Sequence, residues 1–280
     1  MSESELKIIE ALARYKFLTV SQLDFLNILK NKVGLYARLR QLRGGKKPYI
    51  KNNVFGIMAG KGRLEDFYFL DKKGKDFLIE DLDYLEHQIK IPKGTSSLFQ
   101  RDYFHRKRTI DIFLFLDRGL LDNSSHIIFL DYYFDKQGDN RTKKNLSAKN
   151  KIDIKETGAF IIPDIVAKVR YKNEKIPYLF FVEQHNGKDT KKIMKQLFYH
   201  LIAMTEDEVF EKYNIERNQR VLVVFEFESI LKATLERLSK IGDFIGFEKY
   251  FLFKTNAEIE KDFFNGWYDL NNNKRALIEP

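Results

Sequence analysis

Apolar residues recur at helical spacing from the start of the chain: Leu6, Ile8, Ile9, Leu12 and Ala13 predict a first helix ending near Tyr15. Thr19, followed three residues later by Gln22, is a capping signal for a second helix through Leu23, Phe25, Leu26 and Ile28. Asn31 is placed to cap a third, on which Leu35, Leu39 and Leu42 form one stripe and the Gly44-Gly45 pair ends the run. The spacing then changes from helical to extended. Residues 49–57 and 67–70 predict two strands joined by a Gly-rich basic hairpin tip at 58–63, and a short helix over 72–79 closes the unit. Three helices followed by a two-stranded basic hairpin predict a winged helix-turn-helix over residues 1–86.

Residues 81–97, with Pro92 and Gly94, predict a connector. Beyond it, a helix is expected from about Leu98 to Asp117 with Phe104, Ile110, Phe113 and Leu114 inward, then a strand over 126–134. The stretch 135–156 is polar, has seven Lys/Arg against four acids, and predicts a long loop or hairpin excursion that buries little. Strands are expected over 159–171 and 176–184, linked by a turn at 172–175. Helix 188–204, strand 220–227, helix 229–241, strand 250–254 and helix 257–264 follow. That alternation predicts an α/β domain over 98–270 with a mixed sheet whose first strands pair as a meander, and therefore an α+β chain overall.

Charge adds the first functional clue. The chain carries 49 Lys+Arg against 40 Asp+Glu, a formal net charge of +9. The excess is local: residues 30–63 hold ten Lys/Arg and no Asp or Glu. On the third helix Lys32, Tyr36, Arg40 and Arg43 fall within about 80° of one another. With Lys46 and Lys47 after the helix and Lys61 and Arg63 at the hairpin tip, they are the candidate contacts to double-stranded DNA. The competing reading of the same layout is a winged helix used for protein contacts.

Composition excludes other classes. No cysteine is present, which removes disulfides, thiolate metal sites and thiol catalysis and fits a reducing cytoplasm. The first residues are acidic and polar where a secretory signal would be basic and then apolar, so a cytoplasmic location is expected. Apolar runs such as 179–182 and 221–225 are far short of the roughly 20 residues that span a bilayer, so no membrane partner is expected. No P-loop and no GxGxxG after a strand occurs, and the five histidines lack zinc-ligand spacing.

Two carboxylates interrupt apolar runs. Asp164 lies within Ile161-Ile-Pro-Asp-Ile-Val166, and Glu183 and His185 end Leu179-Phe-Phe-Val-Glu-Gln-His185. A carboxylate costs several kcal/mol to bury unless it is paired or holds a metal. On consecutive strands Asp164 and Glu183 can come side by side and hold Mg²⁺ or Mn²⁺, which lowers the pKa of a bound water beside a scissile phosphate. The alternative is that both simply meet solvent or a lysine.

Pro163-Asp164, eighteen intervening residues, and Glu183-Gln-His185 before a basic helix resemble the PD-(D/E)xK nuclease core. Together with the N-terminal winged helix, the segment FYFLDKKGKDFL at 67–78 and His105 on the next helix, the layout resembles the replication-relaxation family of plasmid and mobile-element proteins. That resemblance implies a replication or mobilisation protein acting at a DNA origin, with Asp164 and Glu183 as metal ligands and His105 as a third contributor. It also implies relaxase-like nicking as one activity, and other replication or conjugation proteins, or a second copy of the chain, as partners. The nuclease pattern has Lys where His185 stands; either His185 serves as base or ligand, or Lys188, Lys191 or Lys192 takes the lysine role. Otherwise the chain is a non-catalytic replication or transcription regulator with an inactive nuclease-like domain, or an adaptor that docks a relaxase.

Overall fold

A computed structural model describes residues 1–92, 102–122, 125–138, 146–172, 174–215 and 218–278. The predicted helix start at Leu98, Gly94, Asn173 and the 139–145 part of the polar stretch lie outside the described residues. The chain divides into two compact units, Met1–Phe104 and His105–Pro280. Among the described residues no helix is long and apolar enough to cross a membrane.

In the first unit α1 (Glu3–Tyr15), α2 (Val20–Phe25) and α3 (Lys32–Leu42) each begin at a side-chain cap. Ser2 and Glu5 form a capping box on α1, Thr19 and Gln22 one on α2, and the Asn31 side chain accepts from Gly34 N at 2.7 Å. These caps satisfy N–H groups that a helix start leaves without partners. Leu35, Leu39 and Leu42 bury the predicted stripe of α3. Strand β1 (Ile50–Asn53) is followed by the small hairpin β2 (Ile57–Met58) and β3 (Gly62–Arg63), and β4 (Phe67–Leu70) returns antiparallel to β1. Leu18, between α1 and α2, adds an antiparallel bridge to Tyr68. Helix α4 (Lys72–Glu80) follows and crosses close over the chain at Tyr49: a Cβ on Gly74 would lie 2.3 Å from the Tyr49 carbonyl oxygen, so only glycine fits there.

The second unit centres on a seven-stranded mixed sheet. Helix α5 (Tyr103–Asp122) leads to β5 (His126–Tyr132). Two small hairpins intervene, β6 (Lys136–Gln137) with β7 (Ser147–Ala148) and β8 (Ile152–Ile154) with β9 (Ala159–Ile161). Then come β10 (Ile165–Arg170), β11 (Tyr178–His185), α6 (Thr190–Thr205), α7 (Glu208–Tyr213), β12 (Gln219–Phe225) and α8 (Glu228–Leu238). β13 (Phe251–Thr255), α9 (Asn256–Lys261), β14 (Trp267–Tyr268) and β15 (Lys274–Arg275) complete the unit. The sheet order is β15-β14-β13-β12-β11-β10-β5, with β11, β12 and β13 mutually parallel and the other pairings antiparallel.

The central strands read as unbroken apolar runs because both faces are covered. Leu179, Phe181, Val221, Val223, Phe225, Phe251 and Phe253 pack with Ile193, Leu197 and Leu201 of α6 and Leu231, Leu235 and Leu238 of α8. The alternate residues, among them Phe180, Val182, Leu222 and Val224, are equally buried, and on their face the Phe113 ring of α5 lies 6.0 Å from that of Tyr132.

Two expectations are corrected. The single strand expected over 159–171 is broken at 162–164, so β9 pairs with β8 while β10 alone joins the large sheet. Pro163 cannot donate a ladder hydrogen bond, which explains the break. Nor is 135–156 a stretch that buries little: Ile152 and Ile154 belong to the core beside Ile193 and Leu197, a two-residue alternation masked by the surrounding lysines.

Candidate functional site

The break before β10 sets the geometry of the candidate site. Asp164 stands just before β10, whose first residue Ile165 pairs with Val182, and so lies beside the end of β11 that carries Glu183. Backbone bonds hold Asp164 in place: its N–H donates to Val182 O at 2.9 Å, and its carbonyl accepts from Tyr133 N at 3.0 Å. Asn150 of the hairpin region donates from its side chain to the Pro163 carbonyl.

Each carboxylate has its own histidine. Asp164 Oδ1 lies 2.8 Å from His105 Nε2 on α5, while Oδ2 accepts from Gln184 N at 2.7 Å. Glu183 Oε1 lies 2.7 Å from His200 Nε2 on α6, with the Gln196 side-chain amide donating to Oε2 at 3.4 Å. Glu183 and His200 are almost wholly buried, at 2% and 1% exposed. His185, on the same strand face as Glu183, packs on the Phe225 ring, and its Nε2 is buried without a hydrogen-bond partner.

Burial controls the protonation of this cluster. Desolvation, reinforced by the nearby Asp164 charge, holds the Glu183 carboxyl well above its ordinary range, against opposing effects of His105 and Lys192. Desolvation also lowers His185 to about 4 and His200 to about 3, so both rings are neutral at pH 7. The unfolded chain therefore binds more protons on these rings than the folded one between about pH 4 and 6.5, and their contribution to stability is lost on acidification through that window. Glu183 acts in the opposite sense, its contribution being lost as pH rises through its raised folded value. His185→Phe is expected to flatten the acid-side fall in unfolding free energy by up to about 1.4 kcal/mol per pH unit. Urea midpoints of both proteins between pH 4.5 and 6.5 measure this, and identical slopes would show that His185 is not held neutral by the fold.

Asp164 and Glu183 supply the carboxylate oxygens that a hard divalent cation takes, whereas the buried, unpartnered Nε2 of His185 is a nitrogen donor of the kind softer first-row metals prefer. Among the described residues no three His, Asp or Glu side chains are grouped as a ready metal cage, so such an ion would be held by Asp164 and Glu183 with water filling its remaining positions. Of the candidate lysines, Lys188 is exposed with its Nζ 5.8 Å from the centre of the Phe227 ring, whereas the charge of Lys192 acts on both Glu183 and His185.

Several contributors were not singled out from the sequence. His200 figures there only among five histidines without zinc-ligand spacing, but it is the buried partner of Glu183, and helical spacing from Gln196 was the available signal: both lie on the α6 face turned to the sheet. Arg108 of α5 approaches Glu226 at 3.5 Å, and Asn256 donates to the same carboxylate at 2.8 Å. Glu226 follows β12 directly and its N–H donates to the His185 carbonyl, so this polar group sits at the carboxyl ends of the parallel strands, where open α/β sheets usually bind ligands.

In the first unit the candidate DNA contacts all lie at the surface. Lys32, Tyr36, Arg40, Arg43, Lys46, Lys47, Lys61 and Arg63 are exposed. Lys32 also lies 3.5 Å from Asp24, and the Arg43 guanidinium is 5.8 Å from the centre of the Tyr68 ring.

Neither protein-family models, nor curated proteins, nor solved structures give a match to this chain.

Proposed function

We propose that this chain is a DNA-binding protein of plasmid or mobile-element replication or mobilisation, its first unit a winged helix-turn-helix and its second a PD-(D/E)xK-like nuclease domain that nicks DNA with Mg²⁺ or Mn²⁺. The observation that carries the reading is the run of residues 30–63, which has ten Lys/Arg and no carboxylate and of whose cations nine are exposed, two of them, Lys32 and Lys51, beside Asp24 and Asp71. Such a surface attracts a polyanion through counterion release. The Leu18 bridge, the β1–β4 pair and the β2–β3 tip are what a winged helix needs around α3.

The test is charge reversal. Arg40→Glu combined with Arg43→Glu is expected to weaken duplex binding at least about tenfold at moderate salt and to flatten the dependence of log Kd on log salt. An unchanged affinity and slope would remove DNA binding from α3.

For the second unit, support comes from the order α5-β5-β10-β11-α6-β12 and from Asp164 just before β10, near enough to Glu183 at the end of β11 for its charge to act there. A bound cation would supply a more acidic water and stabilise charge on a phosphate. The chain's own residues would orient it: His105 and the Gln184 N–H fix the Asp164 carboxylate, His200 and Gln196 fix Glu183, and Lys192 adds positive charge. A second reading, a regulator with an inactive nuclease-like domain, is favoured by His185 in the lysine position and by carboxylates that already have protein partners.

A further inference from the structure

The surface of α3 is not uniformly basic. Opposite its buried stripe of Leu35, Leu39 and Leu42 lie Val33, Tyr36, Ala37 and Arg40, at spacings of three, four and seven residues from Val33. All four are exposed, Val33 at 80% and Tyr36 at 51%. A β-branched apolar residue thus stands at the most outward point of the first turn, flanked by Lys32 and Arg40. A lone exposed valine would need no explanation. This one shares its face with Ala37 and the Tyr36 ring, inside the only stretch of its length where the chain places cations without a carboxylate.

A polyanion that also presents a small apolar group matches such a face. In the major groove of duplex DNA that group is the C5 methyl of thymine, and the residues near the start of a recognition helix are those that reach base edges. RNA offers neither feature, since uracil lacks the methyl and the A-form major groove is too deep and narrow for side chains to read. We infer that Val33, with Ala37 and Tyr36 beside it, is the base-reading point of α3 and takes the methyl group of thymine, while Lys32 and Arg40 hold the flanking phosphates or a guanine edge. The inference rests on the DNA-binding reading and adds to it a base class and the residue that recognises it.

The experiment uses the full chain. Duplexes are enriched from a random pool by binding, and the Kd of the enriched duplex is compared with that of the same duplex made with deoxyuridine in place of thymine. Loss of one contacted methyl is expected to weaken binding about fourfold. Val33→Ala, at a side chain too exposed to affect folding, should bind the thymine duplex about as weakly and reduce the thymine-to-deoxyuridine ratio below about twofold. Equal affinity of the unaltered chain for the two duplexes would overturn thymine readout and leave DNA binding standing, as would a pool bound without enrichment of any sequence. Failure to bind any duplex would overturn both.

Discussion

Supercoiled plasmid incubated with the purified chain and Mn²⁺ or Mg²⁺ is expected to yield open-circle DNA, and the Asp164→Asn, Glu183→Gln double variant to lose at least about a hundredfold of that rate. These substitutions keep side-chain size while removing the charge that would hold a cation, so the fold around them is spared. Asp164 accepts from His105 and from the Gln184 N–H, and an asparagine there keeps its oxygen on one of them. Glu183 already favours its protonated form through burial, and glutamine copies that state. Loss of nicking with duplex binding retained would fix the chemistry on this pair. No nicking by either protein, with duplex binding intact in both, would assign the chain to the regulator reading.

The second large effect concerns stability. His200→Ala is expected to lower the unfolding free energy by about 3 kcal/mol, because it leaves a cavity beside the Phe181 ring and strips Glu183 Oε1 of its partner. Replacing both partners, His200→Leu with Glu183→Leu, should recover most of that loss, since two apolar side chains leave no buried polar group unsatisfied. Urea unfolding of His200→Leu, Glu183→Leu and the pair forms a double-mutant cycle. A pair as unstable as the sum of its singles would mean that Glu183 and His200 do not depend on each other. Recovered stability without nicking would show that the pair is kept for function at some cost to the fold.

How much of this was legible in the sequence varies with the range of the interaction. Helix starts were readable because a cap acts over three residues: Thr19 with Gln22 and Asn31 with Gly34 N bond as their spacing implies. The leucine stripe of α3 and the carboxylate-free basic stretch were equally local. The broken strand at Pro163 was only half visible, since its apolar run continues through the break and proline alone does not say which sheet each half joins. The buried isoleucines of β8 were hidden by the polar residues around them, Asp153 and Lys155 being exposed while the alternate residues pack inward.

The sequence by itself determined that the chain is α+β, that its basic charge is concentrated near the third helix, and that Asp164 and Glu183 interrupt apolar strands where an isolated carboxylate is costly. Only the tertiary structure decided which groups meet those carboxylates. His105 lies 59 residues from Asp164 and His200 lies 17 residues from Glu183, on helices brought to the sheet by packing. The protonation of Glu183, His185 and His200 follows from burial, which depends on how α6 and the strands close over the cluster and not on spacing along the chain.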